Sequence, residues 1–272
     1  MSPGGFLVPA HIWTPWFSML GSKSGFDSIQ ECFEDLASHI FAVETGLSSD
    51  PEMNWRVKDL DGLTLISNSD AHSPMKLGRE ANIFNTGLSY SHIKHAIKTG
   101  DPKLFCGTFE FFPEEGKYHI DGHRKCEHRS WPAETIQQQG ICPVCRKSMT
   151  LGVLYRVEQL ADRPPGVPAE GHHPFYYLIP LNEILAELLS VGPNTKKVNK
   201  IYRALLAEKG SELNILHELP IETLNHSEIP LLGEAVRRVR KKEVQIFPGY
   251  DGAFGTIQLF TSREKENMIG PI

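Results

Sequence analysis

Apolar and polar positions follow two regimes along the chain. "FLVPAHI" (6–12), "FAVET" (41–45) and "LTLIS" (63–67) are short, nearly continuous apolar runs, the pattern of buried strands. Between the first two lies "SIQECFEDLASHI", with apolar residues at helical spacing and a capping-box start, Ser28-x-x-Glu31. "SYSHIKHAIKTG" reads as a short helix closed by Gly100. This alternation predicts an α/β layout over residues 1–100, with a parallel sheet or part of a barrel. The chain opens almost directly on a strand, which predicts a start in the middle of a sheet, with exposed apolar edges and low solubility.

The pattern changes after residue 100. "LFCGTFEFF" reads as a strand, and the rest of 101–165 is rich in Cys, His, Pro and turns, as in a compact metal module. "RPPGVPAEGHHP" (163–174) is a Pro/Gly linker or an ordered loop. Residues 166–272 form a mainly helical region, carried by "LNEILAELLSV", "NKIYRALLAEKG" and "IPLLGEAVRRVRKKE". It ends in strands around the Asp251-Gly252 turn of "VQIFPGYDGAFGTIQLF".

Composition adds boundaries. The chain has 272 residues and a net charge of -5, which fits one or two globular domains and gives no general sign of nucleic acid. Basic residues cluster locally, in "RRVRKKE" (237–243) and across 117–163. No apolar stretch has the length of a membrane span and no signal peptide is visible, so the expected compartment is the cytoplasm. The count of 5 cysteines argues against a pure disulfide framework.

The sharpest chemical signal is His123-x2-Cys126…Cys142-x2-Cys145. Two ligand pairs at that spacing suit a closed, structural Zn²⁺ site. His119 and His128 compete with His123 for the fourth place. Cys32, on an amphipathic helix, and Cys106, in an apolar strand, read as structural thiols.

A second constellation is dispersed. His11 ends the first strand, Glu44 the second, and Asp70 with His72 the third, in "SNSDAH". In open α/β sheets and barrels such strand ends share the rim that carries chemistry. Imidazole with carboxylate suits a divalent metal. Lys76 and Arg79 follow as candidate phosphate contacts. Trp16 and Phe17, after His11, either stack a base or pack into the fold.

"PAHIWTPW", "NSDAHSPMKLGREAN", "GTFEFFPEEGKYHIDGHRKC", "GICPVC" with "LGVLYRVEQLADRP", and "FPGYDGAFG" together resemble the endonuclease Q family. That family joins a polymerase-and-histidinol-phosphatase (PHP) domain, a distorted βα barrel, to a zinc region and a C-terminal region. The resemblance covers essentially the whole chain. It implies a metal-dependent DNA repair endonuclease that cuts 5′ of deaminated bases (uracil, hypoxanthine) or abasic sites. It also implies that His11, Asp70 and His72 hold divalent metal (Zn²⁺, Mg²⁺ or Mn²⁺), with Glu44 near the catalytic centre.

One departure stands against it. PHP domains open on His-x-His, and this chain contains none. The resemblance then implies an N-terminally truncated PHP domain, whose missing segment, if encoded separately, would be a partner. The competing readings are a non-catalytic, zinc-stabilised DNA-binding fragment and a PHP phosphoesterase acting on a small phosphate ester.

Overall fold

The computed structural model describes residues 4–23 and 25–269, a mixed α/β chain. It divides into two compact units: residues up to Tyr176 together with Phe247–Thr256, and Tyr177–Ile246 together with the residues from Ile257 onward.

In the first unit, helix α1 (Ile29–Phe33) starts at the expected cap. The Ser28 hydroxyl accepts from the Glu31 N–H at 3.0 Å, and the Glu31 carboxylate accepts from the Asp27 N–H at 2.7 Å. The helix is shorter than its pattern predicts, because Glu34 takes a φ of 50° and the chain tightens into a 3-10 helix over Glu34–His39. Strands β1 (Ala42–Glu44) and β2 (Thr64–Ile66) pair in parallel, with Glu44 opposite Ile66. Between them sits helix α2 (Pro51–Asn54), capped by the Asp50 carboxylate.

Strand β3 (Ala81–Phe84) leads into helix α3 (Tyr90–Thr99), which ends on Gly100 at a φ of 56° as its sequence predicts. Strand β4 (Phe105–Glu110) returns antiparallel to β3. The hairpin β5 (Asp121–His123) and β6 (His128–Ser130) follows, then helices α4 (Pro132–Gln137) and α5 (Val153–Leu160). Strand β7 (Phe175–Tyr177) lies beside β4. One core cluster gathers Ile12, Trp13, Leu20, Val43, Val57 and Val157. A second gathers Ala42, Ile66, Ala96, Ile97 and Phe105 under α3.

Two expectations are corrected. Residues 6–12 do not form a strand. The segment does run beside β1: the Glu44 N–H reaches Pro9 O at 3.0 Å and the Ile12 N–H reaches Glu44 O at 3.2 Å. But His11 turns to a φ of 32° and gives its N–H to the Glu44 side chain, so the ladder breaks one residue short. Pro9 has no N–H to give. The strands also gather into four small sheets, not one continuous barrel wall, among the described residues. At the β2–β3 junction a side chain replaces the ladder. The Asn82 amide takes the Ser67 N–H at 2.9 Å and donates to Ser67 O at 2.8 Å.

Gly46, just beyond β1, sits at a φ of 61°, and a Cβ there would lie 2.6 Å from His11 Cβ. Gly62 has a similar φ of 77° but open space around it. Gly46→Ala is therefore expected to cost about 2 kcal/mol or more, and Gly62→Ala about 1 kcal/mol, in urea denaturation. Equal costs would mean that the close approach of His11 is not a constraint.

The second unit contains α6 (Leu181–Leu189), α7 (Lys196–Lys209), a π-helical turn (Asn214–Glu218), α8 (Ile221–Asn225), α9 (Leu232–Arg240) and α10 (Ser262–Ile269). Leu181, Ile184, Leu185, Ile215, Leu224 and Val236 are buried in it. Strands β8 (Gln245–Phe247) and β9 (Thr256–Gln258) pair, and the chain between them turns at Asp251 and Gly252, both at positive φ. Among the described residues no helix is long and apolar enough to cross a membrane.

Candidate metal centre and strand-end site

The Cys/His module comes together through two tight turns. His123 ends β5, and Cys126 closes the 3-10 turn Arg124–Cys126, where Glu127 at a φ of 51° reverses the chain into β6. Cys142 and Cys145 share a second turn, in which the Cys142 N–H reaches Lys147 O and the Arg146 N–H returns to Cys142 O. The ligand atoms of His123, Cys126, Cys142 and Cys145 all lie within 4.8 Å of one another, and Cys145 Sγ is 3.4 Å from His123 Nδ1. Tetrahedral Zn–S bonds of about 2.3 Å place sulfurs roughly 3.8 Å apart, so the set is close to a binding geometry.

Burial, with hydrogen bonds to Cys145 and Cys142, pushes the Cys126 thiol up to about 11. At Cys142 burial works upward too, but N–H groups of Cys145 and Val144 outweigh it and hold that thiol below its ordinary value. Three sulfurs and one imidazole are a donor set for a metal such as zinc. The rival histidines lie elsewhere: His119 is buried, with its carbonyl taking the Leu154 N–H, and His128 Nε2 faces Gln138 Oε1 at 3.4 Å. Cys32 and Cys106 are free thiols, only half-buried.

The strand-end residues are arranged differently. Glu44 ends β1 and ties the rim together: one carboxylate oxygen takes the His11 N–H at 2.8 Å and the other takes the Asn68 amide at 2.8 Å. Asn82 bonds Asn68 as well as Ser67, and the Arg79 guanidinium holds Ser69 O at 2.8 Å while lying over the Phe111 ring. Arg79 thus fastens the loop that carries Asp70 and His72. Lys76, in a 3-10 turn beyond the loop, is half-buried.

Asp70 and His72 stand four and six residues past the end of β2, with side chains 62% and 87% exposed. His72 Nδ1 lies 2.8 Å from Asp70 O, and a carbonyl only accepts, so Nδ1 donates there and Nε2 is left without that contact on an exposed ring. The expected gathering of His11, Asp70 and His72 is not seen. Among the described residues, the Cys/His module is the set of three or more such ligands close enough to hold one ion. His11 is turned by its own left-handed backbone, and Asp70 and His72 lie in the loop beyond the end of β2.

Beneath this rim are two carboxylates that the sequence reading missed. Glu80 and Glu110 are 3% and 0% exposed. Burial first, then Glu44, pushes Glu80 up to about 8, against the Phe111 N–H and Arg79, which work downward. Burial and the neighbouring Glu80 raise Glu110 well above the carboxylate range, although Thr108 and Thr45 hydroxyls sit at its two oxygens. A Glu inside the apolar run "GTFEFF" was the signal available.

The loop after His11 is rigidly fastened and borders a 230 Å³ hollow lined by Thr14, Trp16, Ser48, Pro113 and Tyr118. His172 and His173 face backbone carbonyls, Ala169 O and Gly100 O, at the edge of a separate 240 Å³ cavity that includes Trp55. In the second unit "RRVRKK" is spent internally. Arg237 and Arg238 clamp Glu234, and Arg238 and Arg240 also reach the carbonyls of Leu259 and Leu216. On α7, Lys196, Lys197, Lys200 and Arg203 are exposed, and no acidic residue intervenes between Glu187 and Glu208.

A family model described as the MJ0043 C-terminal domain matches residues 180–243. Uncharacterized protein MJ0043 of Methanocaldococcus jannaschii is 33% identical over 253 residues, which is 90% of this chain and 31% of that protein. Uncharacterized protein YqxK of Bacillus subtilis is 31% identical over 258 residues, 94% of this chain and 61% of that protein. Among solved structures, the lesion-specific endonuclease PfuEndoQ from Pyrococcus furiosus matches with a TM-score of 0.84 at 30% identity, covering 96% of this chain and 66% of its own. Endonuclease Q in complex with a 27-mer duplex substrate bearing an abasic lesion at the active site matches with a TM-score of 0.80 at 30% identity, covering 95% and 64%. The chain therefore spans less than two thirds of each of these relatives.

Proposed function

Because the chain belongs to the endonuclease Q family over the length it shares with it, we propose that it works on damaged DNA as part of a lesion-directed endonuclease that cuts 5′ of deaminated bases or abasic sites. The observation that carries this is the match along 96% of the chain to a lesion-specific endonuclease. The fastened Asn68–His72 loop supports it: Glu44, Asn82 and Arg79 all hold backbone or amide groups there, which positions Asp70 and His72.

In this reading the zinc-type module is a structural clamp, and the chemistry belongs to the rim. A divalent ion at such a rim supplies charge neutralisation for the phosphate and a more acidic water. The rim residues here do not complete a metal cage, so what this chain contributes is narrower. Asp70 and the Nε2 side of the His72 ring, both exposed on the fastened loop, present a carboxyl group and an imidazole toward a phosphodiester. Glu44 is a positioning residue. Lys76 keeps a phosphate role in this reading, while Arg79 acts first on the loop.

That incomplete ligand set also favours a second reading, a zinc-stabilised DNA-binding protein without catalysis of its own. One assay separates them. The full chain is incubated with labelled duplexes carrying deoxyuridine or an abasic analogue, with Mg²⁺ or Mn²⁺, and both nicking and binding are read. A nick 5′ of the lesion that Asp70→Ala abolishes establishes the endonuclease. Lesion-selective binding without a nick, unchanged in Asp70→Ala, establishes the binding protein. Absence of both sinks the DNA reading.

A further inference from the structure

We propose that Phe17 is a stacking wedge, which enters damaged duplex DNA at the place a base vacates. This rests on the DNA reading above and names a residue that contacts the helix. Three observations carry it. The Phe17 ring is 98% exposed and has no ring partner among the described residues, whereas neighbouring Trp16 packs edge-on against Tyr118 at 5.3 Å. Phe17 also sits at a φ of 57°, a region that a bulky L residue enters only under strain.

The third observation is that this strain is held in place. Ile12, Trp13, Met19 and Leu20 on either side are buried. The Trp13 indole N–H is bonded to Asn54, the Leu20 N–H to Ile12 O at 2.9 Å, the Lys23 N–H to Pro15 O at 2.9 Å, and the Gly21 N–H to the Ser18 hydroxyl. The loop therefore presents a large apolar ring to water from a rigid base, starting at His11 on the rim. A lone exposed apolar residue is ordinary. A strained aromatic on an over-fastened loop costs stability twice and returns nothing to the fold.

Duplex DNA offers the matching partner. Where a base is missing or leaves the stack, its neighbours lose a stacking face, and apolar side chains inserted there recover it. An aromatic ring is tolerant of base identity, which fits a site that accepts an abasic position as well as a modified base. Trp16, the next residue back, lines the 230 Å³ hollow beside the loop.

The test uses the full chain, without divalent ions, and duplexes with one tetrahydrofuran abasic site or none. Affinity is read by anisotropy. A 2-aminopurine beside the lesion reports stacking. Phe17→Ala is expected to weaken binding to the lesion duplex roughly 10- to 100-fold, with little change on the undamaged duplex. Phe17→Trp should keep the affinity and the 2-aminopurine response. Phe17→Gly should lose both, yet melt about 2–4 °C higher than wild type, because it relieves the left-handed backbone.

Lesion preference in the wild type that Phe17→Ala leaves intact overturns the wedge alone. Equal loss on both duplexes also overturns it, since that marks a general contact. A wild type with no lesion preference overturns the wedge and the DNA reading together. A Phe17-dependent association with another protein but not with DNA would overturn it in favour of a protein-docking residue.

Discussion

Cys142→Ser, or removal of the metal by a chelator, is expected to unfold residues 121–150 and to lower the melting temperature of the chain by more than any surface change. The reason is the small amount of other structure there. β5 and β6 are three residues each and α4 is six. The buried apolar side chains of the segment are few, with Cys142 and Met149 at 0% and 7% exposure. A segment this short cannot bury enough apolar surface to offset its chain entropy. Cross-linking four ligands from two turns does so instead, and structural zinc in isolated finger peptides contributes about 10–16 kcal/mol.

The loss should spread. Asp121 accepts the Gly152 N–H at the start of α5, and Thr150 and the Arg124 N–H hold Asp251. Melting curves, metal content and limited proteolysis on one sample check this. The expected result is about one metal per chain, lost in Cys142→Ser together with protection of 121–150. Cys32→Ser, at a half-buried free thiol, is the control and should melt close to wild type. A metal-free Cys142→Ser protein that resists protease as wild type does would show that the module folds without an ion.

The same module shows what a sequence makes legible. The two Cys-x2 turns are local, so spacing alone exposes them. The choice among His119, His123 and His128 depends on where the chain reverses, and that is set by Glu127 at positive φ, which no spacing reports. The strand pair β1–β2 was legible because both runs are apolar. Residues 6–12 share that pattern yet fail as a strand, since Pro9 and the turned His11 spoil the ladder. "RRVRKKE" shows in sequence only as a basic cluster, whereas its arginines are engaged by Glu234 and Glu243 nearby and, for Arg238, by Glu264, which is distant in sequence. Least legible was the Glu80–Glu110 pair. Continuing the register in which Ala81 faces Phe109 sets the two carboxylates opposite each other, and only the antiparallel pairing of β3 with β4 reveals it.

That pair gives the chain an expected pH response. Glu80 titrates near 4.5 when unfolded and about 8 when folded, and Glu110 is raised as well. Between those values the folded chain holds more protons than the unfolded one, so stability falls as pH rises, by about 1.4 kcal/mol per unit for each group affected. Below the unfolded value the contribution is full; above the folded value it is gone. The groups facing the pair reinforce this direction. Glu44 on β1 opposes ionisation of Glu80, Asp50 at the α2 cap opposes ionisation of Glu110, and Arg79 offsets them only in part.

The consequence reaches the rim, because Glu80 interacts with Ser67 and Glu44, and both hold the loop to Asp70 and His72. Glu80→Gln keeps the shape and removes the charge. It should leave stability at pH 5 near that of wild type and make the protein more stable by a few kcal/mol at pH 9. Urea denaturation across that range, with amide exchange at 67–72, separates the cases. If the wild-type and Glu80→Gln curves run parallel from pH 5 to 9, the buried carboxyl is not the group that sets the alkaline limit.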